Sequence, residues 1–126
     1  MAHKKKILVI DDEEDFCFFV KGNLESTGEF EVIATTRGKE GIELARGEKP
    51  DLILLDILMP ELSGDEVAQA IVGDPETNKI PIIFLTVIVP KEEIGTETVK
   101  KIGKRHFMAK PVGTHELVAG IKKVLG

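Results

Sequence analysis

Short apolar segments alternate along the chain with longer polar segments that carry apolar residues at helical spacing. Such alternation is typical of a parallel sheet with helices on both faces. The apolar segments predict five strands, over residues 6–10, 30–35, 51–56, 80–87 and 106–109. The first, third and fourth are almost continuously apolar and suit the sheet centre, whereas the second and fifth are more polar or shorter and suit its edges. The pattern therefore predicts an α/β fold: a doubly wound, five-stranded parallel sheet in the order 2-1-3-4-5, inside a three-layer sandwich.

The first two helices are predicted from periodicity and from a stop signal. A helix over about residues 14–27 has an apolar stripe that we expect to be buried, made of Phe16, Phe19, Val20 and Leu24. Phe18 falls outside this stripe and is a candidate contact residue. A second helix, over about residues 38–47, is expected to stop at Gly47.

Three further helices are predicted. Ser63 and Glu66 form a capping box, so a helix begins after Ser63. Pro90, followed by acidic residues, begins a fourth helix, whose propensity Gly95 and neighbouring β-branched residues lower. Thr114 is expected to cap the last helix.

Length and composition indicate one ordinary globular domain. The chain has 126 residues, 42% hydrophobic and 31% charged, which favours a single domain over residues 1–126, with its core at about 6–125 and no effector module. Its longest stretch without charge or proline, residues 82–89, is far shorter than the roughly 20 residues of a membrane span, so we expect no membrane association. An acidic residue interrupts the N-terminal apolar stretch, and the lone Cys17 fits a reducing compartment. We therefore expect a cytoplasmic protein.

The net charge of −5 argues against direct nucleic-acid binding, because phosphate neutralisation needs a clustered basic surface. The charges are nevertheless divided along the chain, with acids in excess over residues 11–98 and bases in excess over residues 99–126. The basic residues of the last segment are Lys100, Lys101, Lys104, Arg105, Lys110, Lys122 and Lys123. They are either solvated side chains or an interaction surface, and the sequence leaves both interpretations open.

Charged and hydroxyl side chains stand where the predicted strands end. They are Asp11 and Asp12 after the first strand, Asp56 at the end of the third, Thr86 late in the fourth and Lys110 after the fifth. Because parallel strands all point the same way, we expect these side chains at one edge of the sheet, where open α/β folds bind ligands. Three clustered carboxylates repel one another unless a cation compensates, and oxygen ligands select Mg²⁺ or a similar ion. With Lys110 and Thr86 available to hold phosphoryl oxygens, the pattern indicates a site that handles phosphate.

Together these motifs resemble the receiver domain of bacterial two-component response regulators. The resemblance covers residues 6–125, and its motifs are Ile10-Asp11-Asp12, Asp56-Ile57-Leu58-Met59-Pro60, Leu85-Thr86 and Phe107-Met108-Ala109-Lys110-Pro111. It implies a flavodoxin-like sandwich and a phospho-acceptor domain of phosphorelay signalling, which is no enzyme beyond its own phosphotransfer and autodephosphorylation. The implied partners are a sensor histidine kinase or phosphotransfer protein and a downstream effector protein or domain. Whether the phosphorylated form dimerises stays open.

The resemblance also implies a role for each residue of the site. Asp56 would be the nucleophile that becomes an aspartyl phosphate, taking the phosphoryl group from a kinase or a small phosphodonor, and Lys110 would neutralise charge. Mg²⁺, or Mn²⁺, would be held directly by Asp12, through water by Asp11, by Asp56 and by the backbone carbonyl of Leu58.

The implied output is a conformational switch. Thr86 would be drawn toward the phosphoryl group, and Phe107 would turn inward to fill the space that Thr86 leaves. The face made by the fourth helix, the fifth strand and the last helix would change as a result and control a partner.

This chain departs from the family pattern close to the site. Val87 follows Thr86 where the family usually has a smaller residue, which supports an alternative: a receiver-like interaction module that works without phosphorylation. Leu58 and Ile88 are apolar where polar side chains can help to place the hydrolytic water. We therefore expect slow autodephosphorylation.

Two other protein classes with related sites fit the sequence less well. A phosphatase of the haloacid dehalogenase type needs a second acid two residues after its nucleophile, where this chain has Leu58. A flavodoxin-like electron carrier needs a hydroxyl- and glycine-rich phosphate loop after the first strand. The acidic residues 11–15 would instead repel a flavin phosphate.

Overall fold

Strands and helices alternate along the chain in the computed structural model, which describes residues 4–86, 100–102, 105–110 and 113–126. The strands are β1 (Lys5–Ile10), β2 (Phe30–Thr35), β3 (Leu52–Asp56), β4 (Ile82–Thr86), β5 (Lys100–Ile102) and β6 (Arg105–Ala109). The helices are α1 (Glu14–Ser26), α2 (Gly38–Glu48), α3 (Gly64–Val72) and α4 (Thr114–Leu125).

The strands form a sheet in the order β2-β1-β3-β4-β6-β5. Strands β1, β2, β3, β4 and β6 are parallel and take the predicted arrangement 2-1-3-4-5, so the predicted fold is confirmed. A sixth strand, β5, is absent from the sequence prediction. It pairs antiparallel with β6, with Lys101 opposite His106, and therefore displaces β6 from the edge. Its three residues include two lysines and show no apolar alternation that would indicate a strand.

Two apolar clusters, one on each face of the sheet, form the core. Alternate residues of the central strands point to opposite faces, as strand geometry requires. Ile7 and Val9 of β1 belong to the cluster that contains residues of α1 and α4. Leu8 and Ile10 belong to the cluster that contains residues of α2 and α3. Burial on both faces explains why β1 and β3 are almost continuously apolar.

The buried stripe of α1 differs from the predicted one. Cys17, Val20 and Leu24 are buried, whereas Phe19 is 62% exposed, so the prediction that Phe19 is a core residue is wrong. Successive helical residues are about 100° apart, so position 19 lies about 130° from the centre of a stripe through positions 17, 20 and 24, on the side of the helix that faces solvent. Phe18, which the periodicity leaves off the stripe, is 75% exposed.

The capping box predicted at the start of α3 is present. The Ser63 hydroxyl accepts a hydrogen bond from the Glu66 amide (3.2 Å), and the Glu66 carboxylate accepts one from the Ser63 amide (3.3 Å). Each side chain satisfies an amide that has no partner within the helix. The predicted start of this helix is therefore confirmed.

Two other predicted helix ends differ from the structure by one residue each. Helix α2 continues through Gly47 to Glu48, and Lys49 takes the left-handed conformation (φ 48°) that a glycine usually provides at this position. Gly113 is the N-cap of α4, so Thr114 is the first helical residue and not the cap. Propensity is a weak guide to the last residue of a helix, because tertiary packing overrides it.

Part of the prediction lies outside the described residues. The helix expected to begin at Pro90 belongs to this part, as do Val87 and Ile88. Among the helices that the structure does describe, none combines the length and the apolar character that crossing a membrane requires.

Candidate functional site

The carboxyl ends of four parallel strands meet at one edge of the sheet. The register aligns Ile10 with Leu55, Asp56 with Leu85 and Thr86 with Ala109. The residues that end or directly follow these strands therefore lie side by side. The backbone links them as well, since the Lys110 amide donates a hydrogen bond to the Thr86 carbonyl (2.9 Å).

Three carboxylates lie together at this edge. One carboxylate oxygen from each of Asp11, Asp12 and Asp56 falls within 4.8 Å of the other two. Asp11 and Asp56 are buried, whereas Asp12 is exposed. The cluster is therefore open to solvent on the Asp12 side. Three oxygen ligands with a solvent-facing side match the donor chemistry that a divalent cation with bound water requires.

The Lys110 ammonium supplies positive charge to this cluster. Its Nζ atom lies 2.6 Å from Oδ2 of Asp11, 3.2 Å from Oε1 of Glu13 and 3.8 Å from Oδ1 of Asp56. It also lies 4.4 Å from the centre of the Phe16 ring, whose face attracts cations. Only 9% of the Lys110 side chain is exposed, and Asp11 and Asp56 are buried, so its contacts with these two aspartates act with limited screening.

The electrostatics of the site show an excess of negative charge. Burial, and next the charge of Asp11, raise the pKa of Asp56 to about 6, although Lys110 acts in the opposite direction. Burial also raises the pKa of Asp11, which its hydrogen bond from Lys110 offsets only in part. Burial disfavours the charged form of Lys110, but the hydrogen bond to Asp11 and the charges of both aspartates outweigh it, so its pKa is raised. Within residues 4–86, 100–102, 105–110 and 113–126, the Lys110 ammonium does not compensate the carboxylates, and a further cation would stabilise them.

The backbone holds Asp11 in place. Its amide donates a hydrogen bond to the Thr35 carbonyl of the neighbouring strand (3.1 Å), and its carboxylate accepts one from the Glu13 amide (2.9 Å). Beneath it, the buried Cys17 thiol donates to the Asp11 carbonyl (3.3 Å). Asp11 is thus oriented by β2 on one side and by the start of α1 on the other.

The remaining predicted site residues lie around the carboxylates. Thr86 is buried at the end of β4. Phe107 is half-buried on β6, where its ring stacks on Phe84 with a centroid distance of 5.3 Å and an interplanar angle of 25°. The Leu58 side chain, two residues beyond Asp56, is 57% exposed. The roles of these three residues stay predictions.

The sequence analysis missed three residues of the site. Glu13 and Phe16 both contact Lys110, and the signal for them is their i, i+3 spacing directly after the aspartate pair. Gly64 is the third, because a Cβ atom on it would lie 2.2 Å from the Asp56 carbonyl oxygen. The sequence shows Gly64 only as a glycine at the start of a helix. The packing of α3 on β3 explains why the residue at this position has no side chain.

Comparison with known proteins identifies the class that this fold and site define. Residues 7–122 match the family model of the response regulator receiver domain. The chain is 34% identical over 122 residues to the polar-differentiation response regulator DivK of Brucella anthropi, covering 97% of each protein. The structure superposes on the Vibrio cholerae chemotaxis protein CheY4 with a TM-score of 0.82 and 25% identity, covering 97% of this chain and 99% of CheY4. The chain therefore belongs to the receiver domain family of two-component response regulators, as the sequence motifs predicted.

A further relative is longer than this chain. The alkaline phosphatase synthesis transcriptional regulatory protein PhoP of Bacillus subtilis is 37% identical over 121 residues, which are 96% of this chain and 48% of PhoP. The chain thus spans about half the length of PhoP and almost all of DivK. Receiver domains are signalling domains, and this relationship assigns no further activity to the chain.

Proposed function

We propose that this receiver domain accepts a phosphoryl group on Asp56 and relays the signal to an effector. The observation that carries the proposal is the position of Asp56. It is a buried carboxylate at a strand end, grouped with two other carboxylates and 3.8 Å from the Lys110 ammonium. A carboxylate among groups that neutralise charge is suited to covalent phosphoryl transfer.

In the proposed reaction an Asp56 carboxylate oxygen attacks the phosphorus of the donor. A new phosphorus–oxygen bond forms, and the bond to the donor breaks, so that the leaving group keeps the electron pair. With a sensor histidine kinase or a phosphotransfer protein the leaving group is a histidine nitrogen, and with acetyl phosphate as the small phosphodonor it is acetate. Lys110, with Nζ 3.8 Å from Oδ1 of Asp56, neutralises the phosphoryl oxygens, and Thr86 at the end of β4 donates a hydrogen bond to them.

Mg²⁺, or Mn²⁺, fits the acidic cluster as the cofactor. Asp12 would hold it directly, Asp11 through water, and Asp56 and the backbone carbonyl of Leu58 would complete the protein ligands. The support is the donor set, since three carboxylates lie within 4.8 Å of one another and Lys110 is the one ammonium that faces them in the described part of the chain. When bound, the ion neutralises charge on the phosphoryl oxygens.

The proposed output is a change at the face formed by the fourth predicted helix, β6 and α4. Thr86 would move toward the phosphoryl group, and Phe107 would turn into the space that it leaves. The register supports this coupling, because β4 carries both Thr86 and Phe84, the residue against which Phe107 stacks. The altered face would control an effector protein or a second copy of the domain.

We place this signalling in the cytoplasm, which the lone, buried Cys17 fits.

Intact mass measurement tests the proposal. The protein is incubated with Mg²⁺ and acetyl phosphate, and the parent is compared with Asp56→Asn and with a sample that contains EDTA. Asp51→Asn is the matched control, because Asp51 directly precedes β3, the strand that Asp56 ends. We expect one phosphoryl adduct in the parent and in Asp51→Asn, and none in Asp56→Asn or with EDTA.

Absence of the adduct would contradict the proposal once a histidine kinase had also failed as the donor. The interaction module that works without phosphorylation would then be the leading function. Its sequence support, Val87, lies outside the described residues.

A further inference from the structure

The Lys110 ammonium is shared unequally among three carboxylates. Nζ lies 2.6 Å from Asp11 and 3.2 Å from Glu13, but 3.8 Å from Asp56, the proposed phosphorylation site. The first two distances are those of hydrogen bonds, whereas the third is only an ion-pair contact. In the proposed reaction Lys110 neutralises the phosphoryl group on Asp56. In the structure as described, however, Lys110 is bound mainly to Asp11 and Glu13.

Glu13 occupies the N-cap position of α1 without capping the helix through its side chain. The shorter side chains of Ser, Thr, Asp and Asn are the ones that usually accept a hydrogen bond from the first turn at this position, so the longer Glu13 side chain is available for another contact. The Glu13 carboxylate binds Lys110 instead (3.2 Å), while its amide is held by the Asp11 carboxylate (2.9 Å). Phe16, one turn further on, places its ring 4.4 Å from the same ammonium. The first turn of α1 therefore presents two groups that attract Lys110.

We propose that Glu13 is a positioning residue that holds the Lys110 ammonium on the α1 side of the site, away from Asp56, until a phosphoryl group arrives. The inference rests on the proposed function of Asp56. Transfer from acetyl phosphate forms a bond between an Asp56 oxygen and phosphorus, and acetate leaves with the electron pair. The new phosphoryl group then competes with Glu13 for the ammonium.

The contact with Glu13 stabilises the unphosphorylated protein relative to the phosphorylated one. The Glu13 side chain is 65% exposed, so water solvates it readily when the contact breaks. The contact is therefore weak enough to be exchanged, and it acts against phosphorylation without preventing it. Asp11 is fully buried and keeps its hydrogen bond to Lys110, so the lysine stays in the site after Glu13 releases it.

Three variants test this role. Glu13→Gln removes the charge at constant size, and Glu13→Asp keeps the charge but withdraws it by one methylene. Glu14→Gln is the matched control, since it removes one negative charge from the adjacent exposed residue, for which the structure describes no contact with Lys110. Phosphorylation by acetyl phosphate with Mg²⁺, and decay of the adduct after the donor is removed, are followed by intact mass. Thermal unfolding of each variant establishes that it is folded.

We expect both Glu13 variants to form the adduct faster and to keep it longer than the parent, each by about two- to fivefold, the effect of one partly exposed ion pair. Glu14→Gln should keep the adduct lifetime of the parent. The difference between Glu13→Gln and the parent should also shrink at high salt, because salt screens exposed charges. A purely structural role would alter the unfolding midpoint and would not respond to salt in this way.

The outcomes separate this inference from the proposed function. If the parent forms no adduct with any donor, the function of Asp56 fails, and the role of Glu13 fails with it. If the parent forms the adduct and Glu13→Gln behaves like Glu14→Gln, only the role of Glu13 is overturned. Slower formation or faster decay in both Glu13 variants would also overturn it, because Glu13 would then direct Lys110 toward Asp56.

Discussion

A Cβ atom on Gly64 would lie 2.2 Å from the backbone carbonyl oxygen of Asp56, closer than any real side-chain carbon approaches such an atom. The start of α3 therefore rests directly on the end of β3. The Gly64 amide also donates a hydrogen bond to the carbonyl of Ile57 (2.9 Å). A larger residue at position 64 would have to displace the backbone that carries the proposed nucleophile.

Gly64→Ala is expected to lower the free energy of unfolding by about 1–3 kcal/mol, because an added methyl group there overpacks the backbone. It should also slow phosphorylation of Asp56, since the strand end must shift. Gly22→Ala is the control: Gly22 lies in α1, and a Cβ atom on it would meet no described residue within 4 Å. That change should raise helix stability by about 0.5–1 kcal/mol. Equal unfolding free energies for the two variants in urea would contradict the packing argument.

Asp56→Asn is expected to stabilise the metal-free protein at pH 7.5. Burial, and next the charge of Asp11, raise the pKa of Asp56 from 3.8 to about 6, so the fold favours the protonated form. The stability that this group contributes is complete below pH 3.8 and is lost as the pH rises through about 6. The neutral amide of Asn avoids this loss. At pH 7.5 the free energy of unfolding of Asp56→Asn should therefore exceed that of the parent by on the order of 1 kcal/mol, after allowance for solvent screening. Urea denaturation in EDTA at pH 7.5 and pH 5 measures it, and a gain no larger at pH 7.5 than at pH 5 would contradict the expectation.

Mg²⁺ is expected to raise the unfolding midpoint of the parent and to have little effect on Asp12→Asn. Binding to the folded state alone stabilises a protein by about 2.7 kcal/mol when the ligand is at 100 times its dissociation constant. Asp12 is exposed, so its substitution leaves the core intact while removing one of the clustered ligands. Thermal scans with and without Mg²⁺ check this without any phosphorylation assay. An equal Mg²⁺ response in the two proteins would exclude Asp12 as a ligand.

The Cys17 thiol should react very slowly with iodoacetamide in the folded protein. Burial, and next the charge of Asp11, raise its pKa from 9.0 to about 11, so little thiolate exists at neutral pH. Because the folded pKa is the higher one, the stability contribution is complete below pH 9.0 and is lost as the pH rises through about 11. Relative to Cys17→Ala, the parent should lose about 1–2 kcal/mol of stability over this window in urea titrations. Parallel pH profiles for the two proteins would show that the thiol does not titrate as expected.

The phosphorylated protein is expected to hydrolyse slowly, because Leu58 and Ile88 offer no polar group to orient water. The double variant Leu58→Asn/Ile88→Glu should shorten the lifetime of the adduct, by about tenfold or more. Decay followed by intact mass after removal of acetyl phosphate measures both lifetimes. Leu58→Ala/Ile88→Ala is the control for loss of apolar bulk alone. A lifetime in the parent no longer than in the Asn/Glu variant would refute the explanation.

Some errors of the sequence analysis share one physical cause. The burial of Phe19, the end of α2 at Gly47 and the cap at Thr114 were inferred from local periodicity and propensity. In the structure Phe19 is exposed, α2 passes through Gly47, and Gly113 caps α4. Each depends on how a helix is rotated or extended against the sheet, and a few residues of sequence do not determine this.

The parallel strands, their order and the grouping of Asp11, Asp12, Asp56 and Lys110 could all be predicted from the sequence. Strands buried on both faces are apolar at every position, and parallel strands bring their carboxyl ends to one edge wherever they lie in the chain. The family motifs stand at these ends, so chemistry-bearing residues far apart in sequence were assigned to one site.

Only the tertiary structure decided which side chains contact Lys110 and which backbone atoms pack against Asp56. The ion pair between Glu13 and Lys110 joins residues that are 97 positions apart in the sequence. The close approach of Gly64 to the Asp56 carbonyl joins the start of α3 to the end of β3. The Glu13–Lys110 distance of 3.2 Å and the lack of room for a Cβ atom on Gly64 both follow from how the helices pack on the sheet and not from any local pattern. The sequence by itself thus determined the parallel arrangement of the five strands and the grouping of the three aspartates with Lys110, because both follow from periodicity and strand direction. The packing of α1 and α3 determined which carboxylate holds the lysine and why a glycine must stand beside the proposed nucleophile.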